Sequence, residues 1–159
     1  MRMTTLYAAL AGAFLLGTAA LSPAQTTPAG SDTAHPIKNA EVALSKDYRA
    51  QHEAIETEYK ADKAKCKSLS GNAKEVCMKE AQGREKVALA ELTAKRKGTP
   101  SAQYDVLVAK AKAAFEVAQE KCDDLKGTEK SACKKQAKAD ELKAIAEAKA
   151  SKVAANTTK

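Results

Sequence analysis

Two cysteine loops of identical design constrain this chain more than any other feature. Cys66-Lys-Ser-Leu69-Ser-Gly71-Asn72-Ala-Lys74-Glu-Val-Cys77 returns 56 positions later as Cys122-Asp-Asp-Leu125-Lys-Gly127-Thr128-Glu-Lys130-Ser-Ala-Cys133, both copies following C-x2-L-x-G-x2-K-x2-C. Each copy sets a helix breaker midway between two thiols. Counted outward from the bend, Cys66 lies five residues before Gly71 and Cys77 five after Asn72. In an antiparallel helical pair those positions share one height, and Cys122 and Cys133 flank Gly127-Thr128 in the same way. Of the three connectivities open to four cysteines, this symmetry favours 66–77 and 122–133. Each bond closes a 12-residue loop, worth about 3 kcal/mol in the chain-entropy model.

Such staples answer a shortage of core material. Beyond residue 24, Leu, Ile, Val and Phe number 18 of 135 residues, below the fifth at which a charged chain risks disorder. Ala, Glu, Lys, Leu and Arg number 74 of the same 135, the composition of long helices and coiled coils. Helix propensity is high and the apolar core is thin, so something must supplement it.

The N-terminal residues name the compartment in which that chemistry is expected. Met1-Arg2 is followed by an uncharged apolar stretch from Leu6 to Leu21 and by Ser22-Pro23-Ala24. A basic start, a short apolar segment and small residues at −3 and −1 describe a secretory signal peptide over 1–24, cleaved near Ala24. The stretch is short for a membrane-spanning helix of about 20 residues, so the mature chain is expected to be periplasmic with no transmembrane segment. An oxidising compartment and an even cysteine count favour disulfides.

Residues 25–38 are rich in Pro, Thr and Ser and read as a flexible leader. From about Asn39 helical periodicity takes over. A first helix to Leu69 carries a stripe of Leu44, Tyr48, Ile55, Tyr59, Cys66 and Leu69. Gly71 suits a left-handed C′ position, and Asn72 with Glu75 forms a capping-box-like pair. A second helix ends near Gly98. Thr99-Pro100 restarts the chain as N-cap and first helical residue. A third helix carries Tyr104, Val108, Ala111, Phe115, Ala118, Cys122 and Leu125, and a fourth runs from about Glu129 to Val153. The fold class expected is all-α: two tandem antiparallel hairpins, 39–98 and 99–153, each stapled near its turn, with a frayed tail at 154–159. Tyr48 and Tyr104, Tyr59 and Phe115, Ala81 and Ala137 keep the 56-residue offset. The short connection at 97–101 favours an up-down-up-down order.

The residues point away from catalysis. A reactive dithiol is usually a C-x-x-C at a helix N-terminus, and zinc knuckles need C-x2-4-C; C-x10-C offers neither. His35 and His52 are isolated, and Arg49 stands where a Glu-x-x-His bundle motif needs Glu. No nucleophile elbow, P-loop or glycine-rich dinucleotide turn is present. The expectation is a non-enzyme with no cofactor and no metal. Glu56–Lys60, Glu75–Lys79, Glu80–Arg84 and Glu91–Lys95 have the spacing of i,i+4 pairs on solvated helix faces. The mature charge is +6, from 26 basic against 20 acidic residues. Lys outnumbers Arg 23 to 3 and is interspersed with Glu, a pattern unlike a nucleic-acid surface. Weak contact with anionic polymers or lipids is the remaining use of that charge. Its densest patch is Lys130, Lys134, Lys135 and Lys138.

On the doubled segment, of which YKADKAKCKSLSGNAKEVCMKEAQGREKVALAEL is the first copy, the chain resembles a group of small, uncharacterised exported Ala/Lys/Glu-rich proteins of Gram-negative bacteria. Some carry the label of TolA-like cell-envelope biogenesis proteins. The resemblance spans about Tyr48 to Val153, implies a periplasmic location and transfers no catalytic residue. Helical periplasmic chaperones of the Spy/CpxP type are similar in size and composition, but their L-T-x-x-Q motif meets Leu92-Thr93-Ala94-Lys95-Arg96 here, with Arg in place of Gln. The function expected is a structural or protein-interaction role at the cell envelope, with other envelope proteins as partners. The second expectation is a module for unfolded clients or an anionic ligand, and the third a thiol redox or metal protein.

Overall fold

The computed structural model describes the backbone of residues 36–158 and the side chains of 45–158. The signal peptide read at 1–24 and the leader up to residue 35 lie outside the described residues. Four helices follow in order: α1 (Pro36–Cys66), α2 (Gly71–Lys97), α3 (Pro100–Lys121) and α4 (Gly127–Thr157), with a 3₁₀ turn at Cys122–Asp124 before α4. Strands do not occur among the described residues. The all-α, twin-hairpin class is therefore as expected, and both staples form: Cys66–Cys77 and Cys122–Cys133, with Cα–Cα distances of 5.6 and 5.7 Å.

Each helix packs on its neighbours in the chain. The α1/α2, α2/α3 and α3/α4 faces are extensive, whereas α1 has no comparable contact with α4. The hairpins thus stand side by side in an open row rather than closing into a four-helix bundle. Residue numbers running in opposite senses across each face make the neighbours antiparallel: Glu80 meets Lys121 and Glu91 meets Lys110 between α2 and α3. Each hairpin is fastened at both ends. The disulfide holds the turn, and at the open end a cation lies over an aromatic ring, Arg96 over Tyr48 at 4.4 Å and Lys152 over Tyr104 at 5.0 Å. Both members of these two pairs keep the 56-residue offset. Each such contact is worth about 0.5–1 kcal/mol at an exposed site.

Local chemistry places the boundaries. Thr99 caps α3 by accepting the Ala102 N–H at 3.2 Å, with Pro100 next to it. Gly98 closes α2 at φ +60, donating its N–H to the Ala94 carbonyl at 2.8 Å. Gly71 and Gly127 have φ +56 and +54, but each opens its helix instead of closing the one before. Asn72 is not a cap: its Nδ2 donates to the Glu120 carbonyl of α3 at 3.0 Å, tying the two hairpins together. Ser70 and Lys126 hold the N-cap positions without a side-chain bond. Leu69 and Leu125 leave the helix stripes, because α1 ends at Cys66 and α3 at Lys121; both lie exposed in the turns. The tail read as frayed at 154–159 is helical through Thr157. Ala154 and Ala155 favour helix, and the Thr157 and Thr158 hydroxyls donate to the terminal Ala154 carbonyl.

The core is small, as composition requires. Leu92 and Val106 are the largest aliphatic side chains buried among the described residues, joined by Ala81, Ala94, Ala102, Ala111, Ala137 and Ala148. Helix α3 sits between two neighbours and uses two faces. The Tyr104–Phe115–Ala118 stripe turns to α4, while Ala102 and Val106 pack with Ala94 of α2. Gly83 sits where α2 approaches α3 most closely; a Cβ there would lie 2.9 Å from the Cβ of Ala113. Gly83→Val is expected to force these helices apart and lower stability by about 1–3 kcal/mol, measured by urea unfolding. Ala113→Gly should restore part of the loss, and an unchanged midpoint in Gly83→Val would refute the close approach.

Candidate functional site

Small residues at the α2/α3 junction leave a groove on one face of the row. Gly83, Val87 and Ala88 of α2 and Ala113, Ala114 and Val117 of α3 line its apolar floor, and the space is about 570 Å³. Small side chains at facing positions do not fill the volume between helices. Two ion pairs close the ends, Lys121 Nζ to Glu80 Oε1 at 3.4 Å and Lys110 Nζ to Glu91 Oε1 at 2.7 Å. The third charged neighbour, Arg84, turns away to α1, where its Nε donates to Asp62 Oδ2 at 2.9 Å. An apolar trough whose bordering charges are already paired suits an uncharged, apolar guest segment more than an ion.

Those pairings differ from the local ones that spacing predicts. Glu80 and Glu91 reach across to α3 rather than to Arg84 and Lys95, and Lys86 meets Glu116 at 2.9 Å. Glu56 keeps i,i+4 spacing but takes His52 at 3.4 Å instead of Lys60. The i,i+4 rule describes isolated helices; in a row of helices the adjacent helix supplies a partner at no greater reach. Such exposed pairs contribute about 0.2–1 kcal/mol each, so their main effect is on register.

The expected anion patch is largely spent on internal contacts. Lys130 and Lys134 both hold Asp123 Oδ1, at 2.8 and 2.7 Å. Lys138 bonds Glu141 at 2.7 Å and lies 4.9 Å from the centre of the Phe115 ring. Lys135 is exposed and is the one of the four without a carboxylate partner among the described residues. The four cysteines are all in disulfides, Cys66 and Cys122 buried and Cys77 and Cys133 half-buried. Among the described residues no group of three or more His, Cys, Asp or Glu side chains is gathered as a metal-ligand set. No described helix is long and apolar enough to cross a membrane.

The groove itself escaped sequence reasoning. Its signal was Gly83, a lone glycine inside an Ala/Glu/Lys helix, where it costs about 1 kcal/mol relative to alanine. Set against protein-family models, curated proteins and solved structures, the chain matches none of them.

Asp62 and Asp123 are carboxyls of perturbed acidity. Hydrogen bonds from Lys65 and Arg84 hold Asp62 below its ordinary value of 3.8, and bonds from Lys130 and Lys134 do the same for Asp123. A depressed folded-state value stabilises the fold fully above the ordinary value and loses that contribution as pH falls through the lower one. Asp62→Asn is therefore expected to unfold at lower urea than wild type at pH 7, with the gap closing in strong acid. A gap that does not narrow as the pH is lowered would show that ionisation of Asp62 is not its source.

Proposed function

We propose that this chain is a non-enzymatic helical protein of the periplasm, exported with cleavage near Ala24, with a structural or protein-interaction role at the cell envelope. The observation that carries the reading is the architecture: two disulfide-stapled hairpins in an open row that exposes most of each helix. Four of its ion pairs bridge neighbouring helices, Arg84 with Asp62, Lys86 with Glu116, Lys110 with Glu91 and Lys121 with Glu80. Two disulfides, each with a buried half-cystine, belong to an oxidising compartment, and the pattern of residues 1–24 supports export. The resemblance to exported TolA-like envelope proteins supports the same assignment.

Expression with its own leader in a Gram-negative host tests this. The expected product is processed, periplasmic and linked 66–77 and 122–133 by non-reducing peptide mapping, and crosslinking in intact cells captures a defined envelope protein. Cytoplasmic retention with four free thiols would reject the proposal. Removing either staple, as Cys66→Ala/Cys77→Ala or Cys122→Ala/Cys133→Ala, should cost about 3 kcal/mol by the chain-entropy model, read by urea unfolding.

The α2/α3 groove favours a second reading, a holding site for apolar segments of unfolded clients. Suppression of aggregation of a denatured client should then be lost in Val87→Glu/Val117→Glu while helical content is kept. An inert wild-type protein would dismiss this reading.

A further inference from the structure

Of the five positions shared by the two loops, the fold uses three in both copies and the lysine in the second copy alone, where Lys130 holds Asp123. The cysteines staple each hairpin and the glycines bend it. The leucines stay in solvent: Leu69 is 42 % exposed and Leu125 37 %. One exposed leucine is ordinary, but here the same residue stands at the same apex twice. It is held identically, its N–H donating to the carbonyl of the half-cystine three residues back at 3.1 Å in both turns. The up-down order brings both apices to one end of the row, and the Asn72–Glu120 bond joins the hairpins at that end.

Lysines surround these apices. Residues 65–74 carry Lys65, Lys67 and Lys74 and no acid; residues 121–130 carry Lys121, Lys126 and Lys130 against Asp123, Asp124 and Glu129. Among the described residues no carboxylate pairs with Lys67, Lys74 or Lys126, which lie two, five and one residues from the nearer leucine in sequence.

We propose that the paired disulfide-held turns are a membrane-contact end, with Leu69 and Leu125 entering the interfacial layer of an anionic lipid bilayer while Lys67, Lys74 and Lys126 meet its headgroups. Two short apolar anchors and a few cations are each weak alone, and stable attachment to a surface needs both kinds of signal together. The disulfides keep the apices ordered before contact, which reduces the entropy lost on binding. The first turn, with its excess of positive charge, carries the larger share. This deepens the envelope reading and rests on it only for the supply of an anionic membrane.

The chain contains no tryptophan, so Leu69→Trp or Leu125→Trp introduces a single reporter at each apex. Leu142→Trp, on exposed α4 about 22 Å along the helix from Gly127, is the control for insertion by any other part of the full chain. With vesicles containing phosphatidylglycerol, the emission of both apex reporters is expected to move to shorter wavelength, more for position 69, with position 142 unchanged. The shift should vanish in high salt and on neutral phosphatidylcholine vesicles. Lys67→Glu/Lys74→Glu in the Leu69→Trp background should weaken binding by about tenfold or more. Silent apices, an equal shift at 142, or equal shifts on neutral vesicles would overturn the proposal. Circular dichroism confirms that each variant is folded. Silent apices in a chain that is still exported and crosslinked in cells would leave the envelope role standing and transfer the leucines to a protein partner.

Discussion

The largest side chains removed completely from water among the described residues are two half-cystines, Cys66 and Cys122. Everything else in the fold follows from that scarcity. An open row of helices encloses few large side chains, so its faces are covered with alanine, and alanine contributes little transfer energy. Covalent closure of each hairpin, at about 3 kcal/mol, is then a large share of a stability expected to be about 5–15 kcal/mol. The bond also supplies burial, because the sulfurs sit where a core residue would. At the far end of each hairpin the cation–π contact of Arg96 on Tyr48 or Lys152 on Tyr104 keeps long helices from splaying.

Contact between hairpins obeys a different rule. Gly83 against Ala113 brings α2 and α3 close, Val106 is buried there against Ala94, and three ion pairs line up along the junction, 80 with 121, 86 with 116 and 91 with 110. None of the pairs is worth much energy, but together they admit one antiparallel register; a slip of one turn would break all three. The groove beside this junction is the cost of assembling it from small residues.

The twin hairpins and their pairing were legible because thiol spacing and bend residues are local signals that repeat. The Thr99-Pro100 start was legible for the same reason. What stayed hidden is what depends on neighbours. Asn72 has the chemistry of a cap and instead bonds a carbonyl on another helix. Glu80 and Glu91 have i,i+4 partners in sequence and choose lysines on α3. Helix α3 has one clear apolar stripe, yet it needs a second, Ala102 and Val106, because it lies inside the row. Leu69 and Leu125 fit the helical period, but the helices stop before reaching them. Arg96, which departs from a chaperone-like motif, has its use in covering Tyr48.

The same dependence on neighbours explains why the row has outer faces that do not extend it. At the 56-residue offset, Val87 of the α2/α3 junction and Val76 of α2 correspond to Lys143 and Ala132 on α4, and Val106 and Val117 of the junction correspond to Ala50 and Ala61 on α1. All four outer residues are exposed. Where a helix has a neighbour the position is valine; where it has none it is alanine or lysine. Repeat arrays need terminal faces that water tolerates, and here the substitutions fall on the two helices that have one neighbour each. A third hairpin docked on α4 would bury Lys143 where the internal junction has Val87. Among the exposed large apolar side chains of the described residues, Leu107, Leu142 and Val153 stand singly, whereas Leu69 and Leu125 recur at the 56-residue offset in the disulfide-bearing turns.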